Sequence, residues 1–451
     1  MAYNVPIVLR LRGQLHVEAL RKTFNEVVRR HEVLRTRFEQ VEGRTVQKIE
    51  SEVEVGFEIK DLREMKGEEQ EEEVRVEVAE ERGRPFDLRS APQLRVRLLQ
   101  LEEEEYVLMV TIHHIASDGW SMGVLVKEVA ALYEAYREGG MESPLEELEI
   151  QYVDYAVWQR EWLQGEVLER QLKYWREKLA GIETLNMPTD RVRPAQLSYV
   201  GGREDFQVTK ELMKRLRGVC QAEGVTLYML VLAAFQVVLG QWSGQEDIVI
   251  GTDVANRNRA EIEGLIGFFV NQLVMRGDLR GNPSFRELLG RVRESCLGAY
   301  ANQDLPFERL VEELNPERSL QYSPLFQVKL VLQNVPLEKI KLTKLQLDSI
   351  KIPTTTAKYD LLVDLCEAGE ELRGGLSYRA ALYDAGTIRR LLSHLKRVLE
   401  QVAEDAGHQL SEMHRAIEHD KARERREVQQ ILKTTLTNTL RRKRQAWIST
   451  K

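Results

Sequence analysis

The sequence predicts a mixed α/β fold, of α+β character, built as two lobes, and three observations predict it. A chain of 451 residues is longer than one ordinary hydrophobic core supports. Segments with strand alternation and segments with helical periodicity interleave in both halves. Between the halves, Pro188, Pro194, Gly201 and Gly202 punctuate a loop region and put a boundary near residue 180.

The elements follow in order. Val5 to Leu11 reads as a strand, and Val17 to Arg29 places Leu20, Phe24, Val27 and Val28 on one helical face. Residues 43 to 60 read as short strands, and the charged run from Glu64 to Arg82 as a solvated helix without a function. Tyr106 to His114 is a dense apolar strand, broken at Gly119 before the helical spacing of Met122 to Tyr136. Tyr152 to Leu179 is helical, with Trp158, Trp162 and Trp175 expected as core anchors. In the second half, Thr226 to Leu239 reads as an apolar helix and Asp247 to Thr252 as a buried strand. Phe285 to Tyr300 reads as a helix and Phe326 to Gln333 as a strand. The expected units are an N-terminal lobe over 1–179, a C-terminal lobe over 180–410 and a basic extension over 411–451.

Composition narrows the function. A formal net charge of -7 gives no overall attraction to nucleic acid, and no apolar run has the length of a membrane span, so neither is expected as a partner. Cys220, Cys296 and Cys366 are odd in number and far apart, which fits neither a disulfide framework nor a zinc motif and points to a cytoplasmic setting. From Lys421 to Lys451, 10 Lys or Arg stand against two Glu, with Val428, Ile431, Leu432, Leu436 and Leu440 at helical spacing. This basic amphipathic segment serves either as a linker helix on its own domain or as a docking element.

Among eight histidines the one pair lies in His113-His114-Ile115-Ala116-Ser117-Asp118-Gly119-Trp120-Ser121. Adjacent strand residues point to opposite faces, so the pair is poorly placed to grip one metal ion, and no metal site is expected. The spacing instead suits one imidazole facing a cavity while its neighbour is held in the core. His114 is the candidate base, since an imidazole is the side chain suited to accept a proton from an amine or hydroxyl at neutral pH. Asp118 accepts hydrogen bonds from the turn or pairs with an arginine, and Gly119 permits a tight path or close approach of a ligand. The plain alternative is that both histidines are satisfied core residues at a strand end.

The stretch resembles the His-His-x-x-x-Asp-Gly signature of condensation domains of nonribosomal peptide synthetases, related in fold to chloramphenicol acetyltransferase. Further family-like stretches run in the family's order: Arg30 to Phe38, Tyr152 to Gln159, Ile266 to Leu273, Gln303 to Glu308 and Ser323 to Gln327. The resemblance implies two chloramphenicol acetyltransferase-like lobes forming a V-shaped pseudo-dimer with a tunnel between them. It implies amide bond formation between a carrier-bound acyl or aminoacyl thioester and the amine of a carrier-bound acceptor. His114, His113, Asp118 and Gly119 are then the catalytic segment, Trp120 and Ser121 support it, and Arg257 pairs with Asp118 across the lobes. Partners are donor and acceptor peptidyl carrier proteins, with neighbouring modules or a tailoring enzyme reached through 421–451. The carriers supply phosphopantetheine, and the chain itself binds no cofactor.

Two departures qualify the match. A family motif with Ala-Gln and Leu-Trp belongs before the first strand and is missing here, so either the sequence is a truncated reading of a longer gene or the lobe is open at that point. Asn302 stands where the family often has histidine. Heterocyclisation relatives replace the histidines with aspartates, and Asp118-Gly119-Trp120-Ser121 resembles the type that accepts an L-configured donor rather than the epimerisation type. The competing class is a noncatalytic interface domain that recruits a tailoring enzyme to a carrier protein and needs no base.

Overall fold

The computed structural model describes residues 3–196, 198–315, 321–333, 342–350 and 356–420. The basic segment 421–451 and its expected helix lie outside them.

The strand Glu105–His113 is the centre of the first lobe because both of its faces are buried. Tyr106, Leu108, Val110 and Ile112 pack into one core and Val107 and Met109 into another, which is why it reads as a continuous apolar run. Asn4–Gly13 pairs with it antiparallel, placing Asn4 opposite His113, and Leu94–Glu102 pairs on its other side. Phe57–Asp61 closes that edge in parallel. Helices Val17–Arg30 and Gly119–Arg137 cover one face through Phe24, Val28, Leu125 and Tyr133. Glu68–Gly83 covers the other through Val74. That last helix is not simply a solvated face: Gln70, Glu77 and Glu81 are buried on it. The two glutamates are held by charge pairing, since Arg97 meets Glu77 at 2.7 Å and Arg95 meets Glu81 at 2.9 Å from the strand beneath, and Gln70 donates to the Leu62 and Leu101 carbonyls.

The second lobe is built on a six-stranded sheet in the order Gly201–Val208, Glu371–Arg379, Leu361–Ala368, Val328–Gln333, Asp247–Val254 and Asn271–Asp278. Against it lies Leu227–Ser243, buried continuously from Tyr228 to Gly240 and packed by Phe285–Ala301 and Ala385–Glu404. A helix enclosed on every side is apolar on every side.

Two segments cross the sequence-based division at residue 180 and a third crosses the one at 410, each drawn by where its apolar face finds a partner. Gly165–Lys178 buries Leu172 and Trp175 in the second core, ahead of that boundary. Leu345–Ser349 leaves the second half and adds to the first sheet, antiparallel to Asn4–Gly13, with Leu342 and Leu345 in the first core. At the far end, Leu410, Met413 and Ile417 still belong to the second core.

The three expected tryptophan anchors divide. Trp175 is 1% exposed and donates its indole N–H to the Asn302 carbonyl at 2.9 Å. Trp158 and Trp162 are only half-buried, on a helix with no buried residue; they stack on each other at 5.1 Å, with the Arg259 guanidinium over Trp158. Asn302 caps the end of Phe285–Ala301, donating to the Gly298 carbonyl.

Candidate active site

The chain enters the site at the end of Glu105–His113. His114 opens a single tight turn to Ala116, and Asp118 then caps the helix Gly119–Arg137. Gly119 is therefore the first helical residue rather than a break before the helix. Its φ is not left-handed, and a Cβ there would meet only Gln333 Oε1 at 3.7 Å. What the missing side chain provides is bare backbone facing the cavity, at a helix start where the first N–H groups lack intrahelical acceptors.

The two histidines hold complementary tautomers. His114 Nδ1 lies 2.7 Å from the Ser117 carbonyl, which can only accept, so Nδ1 carries the proton and Nε2 keeps its lone pair. His113 Nδ1 accepts the Ile115 N–H at 3.1 Å, so there the lone pair is spent on the turn. Burial holds the His113 imidazole below the usual histidine pKa, with His114 adding to the effect. The expectation that His113 is held in the core is corrected: it is half-buried, lines the same cavity, and rests against Tyr3 and the edge of Phe86. The strand ends at His113 and the turn begins at His114, so the strict alternation of faces no longer applies to the pair. The His114 ring meets Phe268 edge-on at 5.2 Å.

Asp118 is 4% exposed and fully committed. Oδ1 accepts the Ser121 N–H at 2.9 Å and pairs with Arg257 Nη2 at 3.3 Å, while Oδ2 accepts the N–H groups of Phe269 and Val270 at 3.0 and 3.2 Å. Arg257 sends Nη1 to the Ile262 and Leu265 carbonyls and lies 4.0 Å over the Phe269 ring. Its desolvation lowers its pKa, and Asp118 opposes that shift. Ser121 Oγ accepts from Arg257 and from Gly267 N–H, and Trp120 donates to the Glu263 carbonyl. Asp118, Trp120 and Ser121 of the first lobe thus clasp the 257–270 loop of the second.

A second buried knot escaped the sequence reading. Arg30 Nε and His31 Nε2 meet the two oxygens of Glu128 at 2.9 and 2.8 Å, and His31 Nδ1 accepts the Ile266 N–H at 3.3 Å. Burial pushes the Glu128 carboxyl up, but the His31 and Arg30 hydrogen bonds outweigh it and hold the pKa below the usual glutamate value. No local signal marked it: Glu128 shares its helix with Lys127, Glu134 and Arg137, and only the fold shows that it faces inward.

His113, His114, Asp118, Gly119 and Trp120 line a cavity of about 1620 Å³ whose other walls come largely from the second lobe, including Asp253, Lys329 and Tyr359. Such a site can hold two reacting groups beside one unprotonated imidazole nitrogen.

Comparison with known proteins gives consistent results. The condensation domain family profile matches residues 1–423. A linear gramicidin synthase of Brevibacillus parabrevis is 47% identical over 413 residues, covering 90% of this chain and 8% of that protein. Chondramide synthase of Chondromyces crocatus is 41% identical over 414 residues, covering 92% of this chain and 10% of that protein. The chain thus spans about a tenth or less of these relatives. Among solved structures, the X-domain from teicoplanin biosynthesis superimposes with a TM-score of 0.82 at 32% identity, covering 91% of this chain and 92% of that one. The condensation domain of a monacolin K polyketide synthase shares the fold, with a TM-score of 0.78 at 20% identity over 90% of this chain and 94% of that one.

Proposed function

This chain belongs to the condensation domain family of nonribosomal peptide synthetases, and on that premise we propose that it is an acyltransferase joining two carrier-bound substrates through an amide bond. The donor is an acyl or aminoacyl thioester, of L-configuration where it is an amino acid, and the acceptor is an aminoacyl group with a free amine. Carrier proteins present both on phosphopantetheine arms, which enter the cavity as parts of the substrates.

The observation that carries the reading is the His114 tautomer: Nδ1–H is tied to the Ser117 carbonyl, leaving Nε2 as a base in a cavity walled by both lobes. The acceptor amine attacks the donor carbonyl and a C–N bond forms. His114 Nε2 orients the amine and takes its proton, and passes it to the departing sulfur as the C–S bond breaks. The negative charge on the carbonyl oxygen falls to backbone donors at the helix start near Gly119. Asp118 and Arg257, neutralising each other, hold the turn in place and touch no substrate.

The test is condensation with loaded donor and acceptor carriers, followed by mass detection of the product on the acceptor. Amide product is expected. Binding of both carriers without any product would favour the interface reading, the kind of role suggested by the X-domain from teicoplanin biosynthesis solved in complex with OxyB.

A further inference from the structure

The second lobe's wall of the cavity carries charge where a sheet face would ordinarily be apolar. On Val328–Gln333, Lys329, Val331 and Gln333 line the cavity, with Leu332 beside them. Asp253 and Gln272 stand opposite each other on adjacent antiparallel strands and line the same wall. Lys329 is 5% exposed; its Nζ meets Asp253 Oδ1 at 2.6 Å and lies 4.9 Å over the Tyr359 ring. Gln272 donates to the Tyr359 hydroxyl at 2.9 Å. A buried ion pair adds little net stability over apolar residues of the same volume. Its presence on a substrate-facing wall points to recognition.

Lys358 completes the group. Its side chain is exposed, lines the cavity and places Nζ 4.8 Å over the Tyr3 ring. Burial lowers its pKa, Lys329 lowers it further, and Asp253 opposes them. No carboxylate is within ion-pair distance of it among the described residues. Lys329 and Lys358 against Asp253 leave one positive charge in excess. The other lining carboxylates do not offset it: Asp118, Asp364 and Glu367 are paired with Arg257, Arg203 and Arg217. Glu308 is exposed at the start of Phe307–Leu314 and is not among the charges that act on Lys358.

Building on the condensation reading, we propose that Lys358, Lys329 and Asp253 form a specificity-determining wall that receives a substrate residue with a carboxylate side chain. An anion placed there neutralises the excess charge in a partly desolvated space, where an unpaired ammonium is costly. The same chemistry is offered by the phosphate of a phosphopantetheine arm. Compounds with and without that phosphate separate the two sources.

Calorimetry with non-reacting aspartyl- and asparaginyl-pantetheine amides, each with and without the terminal phosphate, tests this on the whole chain. The aspartyl compound should bind about tenfold more tightly than the asparaginyl one, as expected for one added partly desolvated ion pair. Lys358→Met, with Lys358→Gln as the second variant, should erase that preference, and His114→Ala should keep it. Equal binding of the two compounds by the unmodified protein, or a preference that survives both Lys358 variants, overturns the proposal. So does a Lys358 effect seen only when the phosphate is present. Binding is read without turnover, so absence of amide product from loaded carriers would remove the condensation reading and leave this measurement standing.

Discussion

His114 and Asp118 lie on the same short segment, yet their surroundings are opposite in kind. The Asp118 carboxylate is buried and spends both oxygens on Ser121, Arg257, Phe269 and Val270. The His114 ring is half-buried, makes one hydrogen bond that fixes its tautomer, and keeps its other nitrogen for the cavity. The difference teaches how the site divides its labour: charge is used up where the two lobes are held together, and a ring nitrogen is left unspent where the proposed reaction moves a proton. It also predicts two separable kinds of damage, one to stability and one to chemistry.

The largest stability effect belongs to the clasp. Arg257→Met should cost about 3–5 kcal/mol, because it strands the Asp118 carboxylate in a site with almost no access to water. Chemical denaturation measures it, and a loss below about 1 kcal/mol would show that the clasp is not what joins the lobes.

The second knot should be weaker, since its members are a little more exposed. Glu128→Gln keeps the shape but removes the charge that Arg30 and His31 share, and should cost about 1.5–3 kcal/mol, the range for hydrogen bonds to charged groups. A loss as large as that of Arg257→Met would erase the ranking of the two knots.

The smallest effect is a pH dependence carried by His113. Its folded pKa lies below the unfolded value, so the unfolded state binds more protons as the solution is acidified. Its contribution to stability is therefore full above the unfolded pKa of about 6.5 and is lost as pH falls from there toward the folded value. Denaturation between about pH 7.5 and 5.5, across the unfolded histidine pKa, should show a shallower acid loss in His113→Gln than in the unmodified protein. An identical slope in the two would place the titration elsewhere.

Much of this fold was legible in the sequence, and what was missed has physical causes. The strands and helices buried on several faces announced themselves as apolar runs, as at Tyr106 to His114 and Thr226 to Leu239. Leu345–Ser349 did not, because an edge strand of five residues carries too little pattern, and its partner is more than 300 positions away. Trp158 and Trp162 misled because large aromatics usually pack inward, whereas here they stack on one another beneath Arg259. The Asp118 and Arg257 pairing came from family resemblance, since no local pattern links a helix cap to a loop 139 residues later. Glu128 needed the fold, because a single glutamate on a helix is ordinary until its inward position is known.

The central claim is that His114 does the chemistry while the clasp does the holding, and one variant separates the two most directly. In His114→Ala, amide formation from loaded carriers and thermal unfolding should be measured on the same preparation. The account predicts a rate lower by about 10² to 10⁴, the usual worth of general-base action, with the melting temperature unchanged. Amide formation at the unmodified rate, or a rate loss that merely tracks a fall in melting temperature, would contradict it.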